Sequence, residues 1–174
     1  EGGYSRFRVD ITDFLKEEDN LLAVCVDNSE RTNVYPQTAD FTFYGGLYRD
    51  VNLIVAPKTH FELDYWGADG LTVSAGTDGR VSLRAYVKDA EEGDSVQFEI
   101  LDAGGKTAAE GFAPAKADCR MELLIPDVHL WQGVDDPYLY RVTARIVRHN
   151  EAVDEVSTRF GVREFYVDPE KGFF

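Results

Sequence analysis

Ser95-Val96-Gln97-Phe98-Glu99-Ile100-Leu101 decides the fold class. Val96, Phe98 and Ile100 alternate with Gln97 and Glu99, the period of a half-buried strand whose successive side chains point to opposite faces. The same rhythm recurs on both sides. Phe7, Val9 and Ile11 alternate with Arg8 and Asp10, and Leu22, Val24 and Val26 with Ala23 and Cys25. Further runs rich in Val, Tyr, Phe, Leu and Thr cover residues 41–44, 50–55, 60–66, 71–75, 81–88, 107–112, 119–125, 138–148 and 152–160. Thr77-Asp78-Gly79, Ala103-Gly104-Gly105 and His149-Asn150-Glu151 lie between runs and tolerate the positive φ of hairpin reversals. A single helical turn is expected after Thr12, whose hydroxyl is placed to cap Phe14 or Leu15. The chain is therefore expected to be all-β.

From residue 59 to 166 the pattern predicts about seven or eight strands, the size and spacing of an immunoglobulin-like β-sandwich. Residues 1–58 predict four strands and a long irregular connection over 28–39, too little apolar surface to close two facing sheets. The boundary is set at Pro57-Lys58-Thr59, because proline interrupts strand pairing. Residues 1–58 hold 10 acids and 6 bases, a charge of −4, which leaves −10 for the remainder. Strands lacking partners expose backbone edges, so self-association into a homo-oligomer through residues 1–58 is expected.

The 174 residues carry 32 acidic and 18 basic side chains, a net charge of −14, with 44% apolar residues. Such a chain can build a core, and it repels phosphate backbones and anionic lipid heads. Nucleic-acid and membrane partners are not expected, and no apolar run approaches the ~20 residues of a spanning helix. The start, Glu1-Gly2-Gly3-Tyr4, has neither a signal-peptide pattern nor an initiator Met, so we expect a piece of a longer chain. Two cysteines, Cys25 and Cys119, are too few for a disulfide framework or thiolate cage, and both are read as buried thiols.

Catalytic signatures are sparse. His60, His129 and His149 sit in unrelated settings with no triad pattern and no metal-ligand spacing. Two carboxylates about 5 to 10 Å apart can hydrolyse glycosides, but Glu17-Glu18-Asp19, Glu91-Glu92 and Asp135-Asp136 read as solvated turns. Gly2-Gly3 and Gly45-Gly46 open no phosphate loop. Trp66, Trp131, Tyr138 and Tyr140 are either core aromatics or a platform for sugar C–H faces, with the core reading favoured.

Several stretches carry a family likeness. They are Gly2-Gly3-Tyr4-Ser5-Arg6-Phe7-Arg8-Val9-Asp10-Ile11-Thr12, Asn20-Leu21-Leu22-Ala23-Val24-Cys25-Val26-Asp27-Asn28, and above all Asp40-Phe41-Thr42-Phe43-Tyr44-Gly45-Gly46-Leu47-Tyr48-Arg49-Asp50-Val51. With them go Leu130-Trp131, Pro137-Tyr138-Leu139-Tyr140 and Phe160-Gly161-Val162-Arg163-Glu164-Phe165. Together they resemble glycoside hydrolase family 2, β-galactosidase-like members included. The resemblance implies that residues 1–58 are the end of a sugar-binding jelly roll and 59–166 the immunoglobulin-like domain. Residues 167–174 then resemble the strand that begins a catalytic barrel.

That resemblance places the two catalytic glutamates in the barrel, beyond this chain, so no catalytic residue is expected here. The chain is then an accessory, inactive region of a retaining glycosidase acting on terminal β-galactosides, and the barrel of the same polypeptide is its partner. Asp40 matches the jelly-roll aspartate that reaches sugar hydroxyls and, in some members, a sodium ion. A carboxylate suits both roles, accepting paired hydroxyl hydrogen bonds and ligating a hard cation. Sodium or magnesium is implied for the intact enzyme and no cofactor for this chain alone. A bacterial cytoplasm or periplasm is implied as location. Arg49 and Asp50 read as scaffold. The competing reading is a free-standing carbohydrate-binding or adhesion module using Trp66 or Trp131.

Overall fold

A computed structural model describes residues 6–29, 31 and 44–174, and the chain divides into two units, Glu1–Val55 and Ala56–Phe174. Asp40 lies outside the described residues, as do residues 41–43 of the expected strand 41–44.

In the first unit the regular element among the described residues is a 3-10 turn, Thr12–Phe14. The Thr12 hydroxyl does not cap it; the Asp10 carboxylate instead accepts the Thr12 N–H at 2.9 Å. The strands expected over 7–11, 22–26 and 50–55 are not formed, and their apolar side chains stand open, Leu22 at 67% and Leu53 at 76% exposure. Alternation creates an apolar face, but a strand persists only with a hydrogen-bonded neighbour and a layer against that face. Short local closures hold the backbone: Asn20 exchanges hydrogen bonds with Lys16, and Arg31 pairs with Asp27 at 2.6 Å.

The second unit is all-β and antiparallel throughout its ladders. Strand β1 (His60–Phe61) precedes β2 (Leu71–Ala75), β3 (Arg80–Ala85), β4 (Val87–Lys88) and β5 (Ser95–Leu101). There follow β6 (Thr107–Pro114), β7 (Cys119–Leu124), β8 (Tyr140–Arg148), β9 (Glu151–Phe160), β10 (Val167–Asp168) and β11 (Gly172–Phe173). One sheet has the order β2-β3-β7 and the other β6-β5-β8-β9, while β1 pairs β4 and β10 pairs β11. The core lies between the two larger sheets. Val81, Leu83 and Ala85 of β3 face it from one side, and Val96, Phe98, Ile100, Val142, Ala144 and Ile146 from the other. The runs 71–75, 95–101, 107–112, 119–125, 138–148 and 152–160 each hold one strand, which bears out the all-β reading.

Two strand expectations need correction. The run 81–88 is not one strand: it leaves the β2-β3-β7 sheet at Tyr86, whose N–H bonds Gly70 and whose carbonyl accepts from Glu62, and resumes as β4 beside β1. The run 60–66 is a strand over His60–Phe61 alone, and the chain then folds into a tight turn at Trp66 and Gly67, φ +52° and +71°.

The β2–β3 reversal shows why glycine is required. Gly79 has φ +83°, and a Cβ there would strike the Ile125 carbonyl, while its own carbonyl accepts the Ile125 N–H at 2.9 Å. Gly105 has the same φ of +83° but faces open space. Gly105→Ala is therefore expected to cost about 1 kcal/mol, the backbone penalty alone. Gly79→Ala is expected to cost at least about twice that, read from denaturant midpoints. Equal losses would count against the carbonyl clash.

Candidate functional site

The chemistry of the second unit is built where strand register sets arginines beside carboxylates. At the end of β8, Arg148 sends Nε and Nη2 to the two oxygens of Asp94 at 2.8 Å each, and Nη2 also to the Thr59 hydroxyl at 2.9 Å. Thr59 in turn donates to the Asp89 carbonyl at 2.8 Å, and Arg148 meets Glu91 at 3.0 Å. The Asp94 side chain has no solvent exposure. The Arg148 hydrogen bonds draw its carboxyl down to about 2, outweighing the opposing effect of burial. Arg148 is raised correspondingly, chiefly by Asp94.

On the outer face of the other sheet, Arg84 lies directly across from Arg120 in the β3–β7 register. Like charges opposed in this way repel, and Asp118 resolves the conflict by taking both. Arg84 forks onto it at 2.6 and 2.8 Å, and Arg120 reaches it at 2.8 Å. These bonds hold the Asp118 carboxyl well below the usual carboxylate range. The Arg84 guanidinium also lies over the Tyr86 ring at 4.9 Å, and Tyr86 stacks on Tyr65 at 4.2 Å with a hydroxyl–hydroxyl bond of 3.1 Å. A fourth arginine, Arg145, sits between Glu99 and Glu155 at 2.9 and 2.5 Å. Asp94 and Asp118, so held, stay ionised at neutral pH and keep no proton for general-acid work.

The histidines remain in separate local settings. The His60 ring nitrogen Nδ1 bonds the Pro57 carbonyl at 2.8 Å, and His149 forms the β8–β9 turn at φ +52°. His129 meets Asp136 at 2.6 Å and stacks on Tyr138 at 3.9 Å, and its N–H donates to the Tyr140 hydroxyl at 2.8 Å. That cluster, with Tyr140 against Phe160, closes one end of the core. The four candidate platform aromatics thus part company: Tyr138 and Tyr140 pack, Trp131 lies beneath Arg163 at 5.0 Å and against Gly161, and Trp66 is 91% exposed. An open groove of about 460 Å³ runs beside Ala75, Thr77, Asp78, Arg163, Glu164 and Phe165.

Among the described residues no group of three or more His, Cys, Asp or Glu side chains is gathered to hold a metal ion. Cys119 is buried as expected, and its thiol is pushed up by that burial; Cys25 is exposed, a correction that follows from the open face of residues 22–26.

The two-sheet architecture and its register account for residues 68–163, the span matched by the profile of Glycosyl hydrolases family 2. The chain belongs to that family. It is 31% identical to a β-glucuronidase of Bacteroides fragilis over 99% of its own length and 27% of that protein's. It is 32% identical to a β-galactosidase of Bacteroides ovatus over 98% of its length and 20% of that protein's. Among solved structures it superposes with TM-score 0.76 and 40% identity on the FMN-binding β-glucuronidase of Faecalibacterium prausnitzii. That superposition covers 84% of this chain and 23% of the other. The chain therefore spans about a quarter of the length of these family 2 relatives.

Sequence reasoning missed the three arginine–carboxylate clusters. Their partners lie on strands far apart in sequence, as with Arg84 and Arg120, which face each other only through the β3–β7 register.

Proposed function

We propose that this chain is a non-catalytic, positioning region of a family 2 glycosidase that hydrolyses terminal β-glycosides. Its second unit serves as an immunoglobulin-like brace, and its first unit contributes to a sugar-binding jelly roll. The observation that carries this reading is that Asp94 and Asp118, both drawn down by arginine hydrogen bonds, are spent on cross-links within the second unit. A retaining pair needs two carboxyl groups about 5–5.5 Å apart, one of them protonated. The barrel of the same polypeptide is the partner in this reading, and Asp40 supplies oxygen ligands to the substrate, and to sodium where it binds.

A β-glucuronide is the favoured substrate of the whole protein, because relatives bearing that name include the 40% identical structure. The β-galactoside reading rests on the 32% identical relative. The test assays aryl β-D-glucuronide and aryl β-D-galactoside with the whole protein and with the purified 174-residue chain. Expected are turnover of one aryl glycoside by the whole protein and none by the chain. Turnover by the chain alone, abolished in Asp40→Ala, would overturn the proposal.

A further inference from the structure

The outer face of the β6-β5-β8-β9 sheet holds two arginines that the cross-links leave aside. Arg141 of β8 stands directly opposite Arg159 of β9 in the ladder, and both are exposed. Residues paired in this way project from one face with Cβ atoms about 5 Å apart, and like charges so placed repel. Among the described residues neither guanidinium makes a hydrogen bond or an ion pair. The other sheet supplies the comparison. Arg84 and Arg120 also face each other across a ladder, and Asp118 lies between them, accepting from Arg84 at 2.6 and 2.8 Å and from Arg120 at 2.8 Å. The second unit thus contains two facing arginine pairs, one neutralised from within and one not.

The remaining charges on the face do not change this. Register and alternation place three arginines there, Arg141, Arg145 and Arg159, against three glutamates, Glu99, Glu110 and Glu155. The glutamates are held elsewhere on it. Glu99 and Glu155 both bond Arg145, and Glu99 also accepts the Thr107 hydroxyl. Glu110 faces Glu99 from β6, the edge strand farthest from β9. The row of Arg141 and Arg159 is completed by Leu101 and Thr107, which carry no charge. Asp102, next in the chain, turns its carboxylate to the N–H groups of Gly104 and Lys106 at 2.9 Å each, and Arg163, beyond the end of β9, lies over Trp131. Two positive charges therefore stand together at one end of an otherwise balanced face.

The chemistry of the chain narrows what meets them. A small free anion is held best in a concave seat, and this pair stands on an open ladder, apart from the groove beside Ala75 and Arg163. A second copy brings a further net charge of −14, so two copies repel. The chain spans about a quarter of the length of its relatives, and a carboxylate tethered to the same polypeptide arrives at high effective concentration. We propose that Arg141 and Arg159 together dock an aspartate or glutamate side chain from the remainder of the same polypeptide, as Arg84 and Arg120 take Asp118. This rests on the reading of the chain as one region of a longer glycosidase.

The test labels arginines in the whole protein with phenylglyoxal and reads each site by mass spectrometry. Arg141 and Arg159 are expected to react about tenfold more slowly than Arg80, because a docked carboxylate holds both guanidinium groups. Arg80 is the reference, with 79% of its side chain exposed. In about 1 M salt the protection should fall away, since screening reaches contact distance. Labelling at the Arg80 rate, protection indifferent to salt, or protection lost on dilution, which would assign the carboxylate to a second copy, would each overturn the proposal. The Arg159→Glu variant gives an independent sign. Against a docked carboxylate it sets like charges together and should lower the denaturant midpoint of the whole protein, whereas on a solvated pair it would place opposite charges across the ladder and raise it. An unchanged or raised midpoint refutes the docking. Aryl glycoside turnover is measured on the same sample: turnover with unprotected arginines refutes the docking pair alone, and absent turnover with protected arginines refutes the glycosidase reading alone.

Discussion

Phe98→Ala is expected to lower the unfolding free energy of the second unit by about 3–5 kcal/mol, among the largest losses a single side chain can cause. Phe98 has no exposed surface and projects from the middle of β5. Its register neighbours are Gly111 on β6 and Ala144 on β8, the smallest residues available, so the ring fills space that neither neighbour can reclaim. A Cβ at Gly111 would stand 3.0 Å from Leu123 of the opposite sheet, so filling the space from that side requires the leucine to shift. A close-packed interior relaxes only partly around such a deletion. Phe112→Ala is the control: this ring is 59% exposed on the outer face of β6, so a shift within about 0.5 kcal/mol is expected. The check is a denaturant series for both variants, in which comparable losses would refute this account of the core.

The second large effect is pH-dependent. Asp94 titrates ordinarily near 3.8 and is drawn down to about 2 in the folded chain. A group whose folded value is depressed contributes stability that is complete above its unfolded value and is lost as pH falls through the folded one. The Asp94–Arg148 cross-link should therefore contribute about 2 kcal/mol above roughly pH 5, declining between about pH 4 and 2 as the unfolded state binds the proton first. Asp94→Asn keeps the shape but removes the charge that Arg148 and the Glu91 N–H address. The variant should be less stable at pH 7, with a flatter stability profile over the acid limb. Midpoints of chemical unfolding from pH 2.5 to 7 read both quantities. An acid slope identical to wild type would show that Asp94 is not the titrating group.

What could be read from the residues and what could not divide along physical lines. Val96, Phe98 and Ile100 announce a strand because the buried and solvated sides of a sheet impose their own period on the chain. Leu22, Val24 and Val26 show the same period without forming a ladder, because alternation records that an apolar face exists and is silent on what covers it. The run 60–66 overshoots at Trp66, where the following Gly67 was the local sign of a turn. Tyr86 divides 81–88 through bonds to Gly70 and Glu62, partners that no local pattern can name. Distance in sequence hides the cross-links in the same way: Arg148 lies 54 residues from Asp94 and 89 from Thr59. The family likeness was legible in short stretches on both sides of residue 59. Trp66 was legible only as one aromatic among several, since nothing in its neighbourhood along the chain announces its exposure.

The two-residue reversal at His149 and Asn150, φ +52° and +66°, has a kinetic consequence. It joins β8 and β9 with almost no loop to close, so this hairpin can zip on the microsecond scale typical of such units. The β5–β8 pairing, by contrast, must first draw together segments some forty residues apart, with Ile100 opposite Val142 and Phe98 opposite Ala144. Loop closure over that span carries an entropic delay that local pairing does not. The β8–β9 hairpin is thus expected to form ahead of the long-range β5–β8 and β3–β7 pairings, an order that substitutions in each pairing would test through their effects on the folding rate.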